Sequence, residues 1–193
     1  MSPVRGLLAL ISEIENIYAS EHSANQHAVA TECARLRAWS VVVRHKEELC
    51  VRDADLLDAR LTYLASVLIG NWLAILFDDS VDALFAKGSN IIATVQLCDL
   101  HSKFTDVGVQ LKHQGHDTHS LDELLQKMRA IEQELEASTD EVLEYPALRS
   151  LSLVVSLKLT ELLEELGKVS ENPQFHALCV DLRHIQQRLA LDQ

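Results

Sequence analysis

Proline and glycine are scarce in this chain, three and six in 193 residues, and aromatic side chains make up only 5%. That scarcity starves the tight turns on which sheets depend and leaves a Leu-, Ala- and Glu-rich mixture that suits helices. No stretch alternates apolar and polar residues with period two, and no unit repeats at a fixed spacing. Basic charge is also short: 17 Lys and Arg stand against 29 Asp and Glu, a formal net charge of −12. A phosphate backbone would meet net repulsion, so nucleic acid is not expected as a partner. The densest basic stretches, Arg35/Arg37 and Arg44/His45/Lys46, are interleaved with acids and read as solvated helix faces.

The four cysteines, Cys33, Cys50, Cys98 and Cys179, lie far apart without a C-x-x-C pair, so neither a zinc knuckle nor a redox motif is written here. They read as buried free thiols in a reducing, intracellular setting, the cytoplasm before the nucleus. No long hydrophobic run marks a membrane span. The longest candidate, Leu61 to Phe77, covers 17 residues between Asp58, Arg60, Asp78 and Asp79 and lacks basic anchors. It reads as a central core helix, and a membrane is not the expected partner. The apolar stretch from Gly6 to Ile11 runs straight into Glu13 and Glu15, unlike a secretory leader. Also missing are a P-loop, a G-x-G-x-x-G cradle and a G-x-S-x-G elbow.

What is present is helical periodicity. Ser2-Pro3 opens a helix over about 3–20, with Leu7, Leu8, Ile11, Ile14 and Tyr18 on one side. His22-Ser23 separates it from a second pattern over 24–49, with Val29, Cys33, Leu36, Trp39 and Val43 inward. Asp53-Ala54-Asp55 places acids at the start of the next helix, and Trp72 on that helix, like Trp39, is expected to pack in the core. A short helix begins at Asp78-Asp79-Ser80, runs to about 87 and is closed by Gly88 as a C-cap. Another follows over 90–112 with Leu97, Leu100, Phe104, Val107 and Leu111 in line and Gly108 in its last turn.

After a loop over 112–119, Ser120 and Glu123 form a capping box ahead of the stripe Leu121, Leu124, Leu125, Met128, Ile131 and Leu135. Ser138 with Glu141 starts a short turn that Pro146 interrupts. Leu148 to Leu166, ended by Gly167, is apolar on more than one side and is expected to pack on several neighbours. Asn172-Pro173 opens the last helix, with Phe175, Leu178, Leu182, Ile185 and Leu189 inward. The expectation is an all-α, irregular multi-helix bundle of about seven helices in one domain over 1–193, with possible sub-bundles 1–112 and 120–193.

Few groups carry chemistry. His113, His116 and His119, beside Asp117, give an H-x-x-H-x-x-H spacing in the one loop of unusual composition. Grouped imidazoles can share a zinc or nickel ion or act as a pH switch, while an exposed polar loop that happens to be histidine-rich is the plainer reading. The acidic sets Asp78/Asp79, Glu132/Glu134/Glu136 and Glu161/Glu164/Glu165 read as solvated helix faces rather than paired catalytic carboxylates. No Glu-x-x-His pair is present, so the inward ligand sets of di-iron bundles are not expected. Neither a catalytic residue nor a bound cofactor is expected.

Cys33-Ala-Arg-Leu-Arg-Ala-Trp39, followed by the long apolar helix, resembles the HeLo-like N-terminal domains of fungal incompatibility and NLR-like proteins. The resemblance covers about 60 residues, carries no specific motif and does not extend to the C-terminal half. It implies a signalling or cell-death module able to reach membranes. The residues themselves favour a non-enzymatic adaptor: a bundle that receives a partner helix or associates with itself, because Leu61–Phe77 and Leu148–Leu166 hold more apolar surface than one bundle covers.

Overall fold

The computed structural model describes residues 3–19, 26–68, 79–116, 118–138, 144–169 and 173–191. Over these residues the chain is an all-α bundle of seven helices without a strand. They are α1 (Pro3–Ala19), α2 (Gln26–Val43), α3 (Val51–Leu68), α4 (Asp79–His113), α5 (His119–Ser138), α6 (Tyr145–Leu166) and α7 (Pro173–Leu191). Trp72, Asp78, Asp117, Glu141, Asn172, the His22-Ser23 break and the stretch from 69 to 77 lie outside the described residues.

The spine is α4, a single helix of 35 residues. The expected stop at Gly88 is therefore corrected: the helix runs through it. Gly88 sits where a Cβ would drive into Cδ1 of Leu61, so the missing side chain lets α3 approach α4 closely. Around the first half of α4, its residues Leu84, Ile91, Ile92 and Val95 close a core with Leu7, Leu10 and Ile14 of α1, Val29, Leu36 and Val43 of α2, and Leu57, Leu61 and Leu64 of α3. Along the second half, Leu97, Leu100, Phe104 and Val107 meet the α5 stripe, Val155, Leu159 and Leu162 of α6, and Phe175, Leu182, Ile185 and Leu189 of α7. The rings of Phe104 and Phe175 pack edge to face, centroids 5.2 Å apart. The boundary between the two cores thus falls inside α4, near 91–97, rather than at the loop after residue 112.

Polar contacts also cross that boundary. Ser152 of α6 donates to Oδ1 of the buried Asn90 at 3.0 Å. Arg188 of α7 grips Asp58 of α3 with two nitrogens, at 2.7 and 3.1 Å.

Local chemistry explains the remaining departures from expectation. α2 ends at Val43, six residues early, in a series of tight turns in which the amides of Arg44, His45 and Lys46 bond to Ser40, Val42 and Val43. The run Val41-Val42-Val43 is β-branched and poor for continuing a helix. Lys46 then reaches Asp53 at 2.6 Å. Asp53 in turn accepts the backbone N–H of Cys50 at 3.0 Å, so the acid expected at the α3 N-terminus closes a reciprocal cap there. Burial would raise the Asp53 carboxyl, but its bonds from Cys50 and Lys46 prevail and hold it below the usual carboxylate range. α5 starts at His119, with the Thr118 carbonyl taking the Asp122 amide, so Ser120 lies inside the helix and is not its cap. Ser138 is the last residue of α5, and the turn expected from Ser138 to Glu141 lies outside the described residues. Pro146 lies in the first turn of α6, where its lack of an N–H costs nothing, so the helix begins at Tyr145, ahead of the apolar run expected from Leu148.

Candidate functional site

Histidine-rich composition drew attention to the segment between α4 and α5, and the structure gives it an architectural job. The amide of Gly115 bonds to Lys112 and that of His116 to Leu111, with Gly115 at φ 84°. This is a Schellman reversal, in which glycine supplies the left-handed backbone. His113 ends α4, His116 sits in the turn and His119 opens α5, all three exposed, with His119 Nε2 3.5 Å from Glu123. Among the described residues no three His, Cys, Asp or Glu side chains gather closely enough to hold a metal ion.

The richest titratable cluster lies elsewhere, where α5 crosses α4. Glu132, expected on a solvated face, is 5% exposed. Its Oε1 accepts from Arg129 at 2.7 Å, while Oε2 lies 3.8 Å from His101 Nδ1 and has no hydrogen bond. Its neighbours Glu134 and Glu136 are half-buried, so the acidic set as a whole is not a plain solvated face, and Glu134 bonds Lys158 of α6. A cleft of about 230 Å³ opens beside Glu132, bordered by Cys98, Glu48, Thr94 and Arg129. A cysteine, a histidine and an acid side by side invite comparison with a nucleophilic triad. The electrostatics run the other way: partial burial, and after it the Glu132 carboxylate, push the Cys98 thiol up to about 11. A thiol of that basicity holds about one thiolate per ten thousand at neutral pH, whereas a nucleophilic cysteine has its pKa lowered by a paired imidazolium. His101 points at Glu132, and no hydrogen bond joins it to Cys98. The cluster sets the Glu132 carboxylate of α5 beside Cys98 and His101 of α4.

The cysteines as a group depart from expectation, since only Cys179 is buried; Cys33 is half-buried, and Cys50 and Cys98 are exposed. A second buried acid also escaped sequence reading. Glu32 of α2 is 0% exposed and is held by Arg60 of α3, 3.1 Å away, and more loosely by Arg35 at 3.4 Å. Trp39 packs against the first core, half-buried as its place on the inner side of α2 requires.

The remaining surface of interest is the outward face of α6. The helix lies against α4, α5 and α7 and buries Leu148, Val155, Leu159, Leu162 and Leu166. Its second apolar side, read from sequence as a further packing face, is left exposed. Leu153 is 42% exposed, Val154 43% and Leu157 58%. Spaced i, i+1 and i+4, they form one patch on one side of the helix. Arg149 and Ser150 lie on its N-terminal side, Thr160 and Glu161 on its C-terminal side, all exposed. Lys158 and Glu165 at its edges are tied back to Glu134 and Lys127 of α5. Elsewhere among the described residues, large apolar groups surface singly or as the pair Val41-Val42. Among the described residues no helix is long and apolar enough to cross a membrane. No family model matches this chain, and no curated protein or solved structure matches it either.

Proposed function

We propose that this chain is a non-catalytic helical interaction module whose docking surface is the outward face of α6. The observation that carries the reading is the patch of Leu153, Val154 and Leu157, three large apolar side chains left about half in water on a helix whose other sides are packed. Completing the burial of such side chains contributes roughly 2–4 kcal/mol on this face alone, given about 1.5–3 kcal/mol for full burial of each. That is less than association costs, so the partner must bring an apolar face of its own. A partner helix laid along α6 meets this need, with anchors at positions three and four apart.

Site-specific photo-crosslinking in living cells tests the proposal. A photoreactive amino acid at position 157 is expected to capture protein above background, while the same group at the exposed Thr105 of α4 does not. Equal, background-level capture at both positions would remove the docking face. The membrane-reaching alternative implied by the HeLo-like resemblance is separated by sedimentation with anionic liposomes, which the interaction reading expects to leave the protein in the supernatant.

A further inference from the structure

We propose that the occupant of the α6 face is a second copy of this chain, seated on a two-fold axis through the middle of the helix, so that Arg149 and Leu153 of one copy meet Glu161 and Leu157 of the other. The inference rests on the docking face and adds its partner.

The argument is one of self-complementarity. Arg149, Leu153, Leu157 and Glu161 are spaced by four residues and lie on one inclined row of the helix surface, about 18 Å long. A two-fold contact requires a patch that matches itself when reversed, because residue i meets j wherever j meets i. Reversal about position 155 maps 149 onto 161 and 153 onto 157. The row then reads basic, apolar, apolar, acidic against acidic, apolar, apolar, basic. Both apolar pairs meet and both charge pairs attract.

A parallel arrangement of the same row would set Arg149 against Arg149 and Glu161 against Glu161. Packing through rows of this kind is the commonest way two helices cross, at about 50°. The charged ends are also available. Arg149 and Glu161 are exposed and, among the described residues, neither has an ion-pair partner, whereas Lys158 is already committed to Glu134. Val154 and Ser150 flank the row and widen the contact. A face this short makes a small interface, so the dimer belongs to the weak class, with a dissociation constant on the order of 100 µM.

Sedimentation velocity of the full chain, from about 10 µM to 1 mM, is the experiment. The unsubstituted chain is expected to pass from monomer to dimer across that range. Arg149→Glu alone or Glu161→Arg alone places like charges at both symmetry-related contacts and is expected to weaken the dimer about tenfold. The double reversal Arg149→Glu/Glu161→Arg restores it. An equimolar mixture of the two single variants also restores it, as a heterodimer, because one copy then carries acid at both ends and the other base at both ends. Unchanged melting curves for these exposed substitutions establish that the fold is intact. A chain that stays monomeric throughout, or single and double reversals whose effects simply add, overturns the proposal. If the chain stays monomeric while position 157 still crosslinks a different protein in cells, the second copy is refuted and the docking face stands. If position 157 crosslinks nothing either, both readings fall.

Discussion

Removing Arg60 should damage the protein far more than removing the acid it holds. Glu32 is fully buried, and its carboxylate depends on Arg60, whose side chain is 30% exposed, with Arg35 a looser second partner at 55%. In Arg60→Leu the carboxylate remains in the core with Arg35 alone. Breaking a buried pair in this way costs 3–5 kcal/mol when the pair is fully desolvated, and the partial access of water to Arg60 lowers the figure to about 2–3 kcal/mol. For a chain of this size that is a fall in Tm of roughly 5–10 °C. Glu32→Leu is the milder change: the guanidinium left behind already reaches solvent, and an apolar side chain of similar volume suits the site, so the cost is about 1 kcal/mol or less. The double variant Glu32→Leu/Arg60→Leu should recover most of what Arg60→Leu loses, giving a coupling of about 2 kcal/mol. Urea unfolding of the four proteins, followed by far-UV circular dichroism, supplies the cycle. A Glu32→Leu variant as unstable as Arg60→Leu, or a double variant no better than Arg60→Leu, would refute the account of Glu32 as a buried charge sustained from α3.

Two further outcomes follow from the other perturbed groups. Glu132→Gln removes a carboxylate that raises the Cys98 thiol, so alkylation of Cys98 by iodoacetamide at pH 8 should accelerate, by about threefold for each pKa unit recovered once the lower nucleophilicity of a less basic thiolate is counted, as read by peptide mass spectrometry. Asp53 is depressed in the folded state, so its stabilising contribution is complete above the ordinary carboxylate range and is lost as pH falls through its folded value. Asp53→Asn should therefore flatten the acid side of the stability curve and cost about 1 kcal/mol at pH 7, measured as urea midpoints across pH 2–7.

Sequence periodicity found most of the helices because their inward stripes are local facts. Leu121, Leu124, Leu125, Met128, Ile131 and Leu135 are all buried, as their spacing requires, and so are Leu7, Ile11 and Ile14. What it missed depends on residues distant in the chain. Gly88 has the look of a helix stop, and only the approach of Leu61 explains a glycine in mid-helix. Glu32 and Glu132 resemble solvated acids because the groups that bury them come from other helices: Arg60, which holds Glu32, stands 28 positions away, and His101, which faces Glu132, stands 31 away. The surplus of apolar residues on α6 was visible in the sequence, and its spacing could not tell a packed second face from a bare one. Periodicity shows that a side is apolar, and only the placement of the other helices shows whether it is covered.

A rod of 35 residues is about 52 Å long, and α4 lends one end to each core. Because melting either cluster would strip the apolar flank from a stretch of the same hydrogen-bonded cylinder, the two are expected to unfold in one transition rather than two.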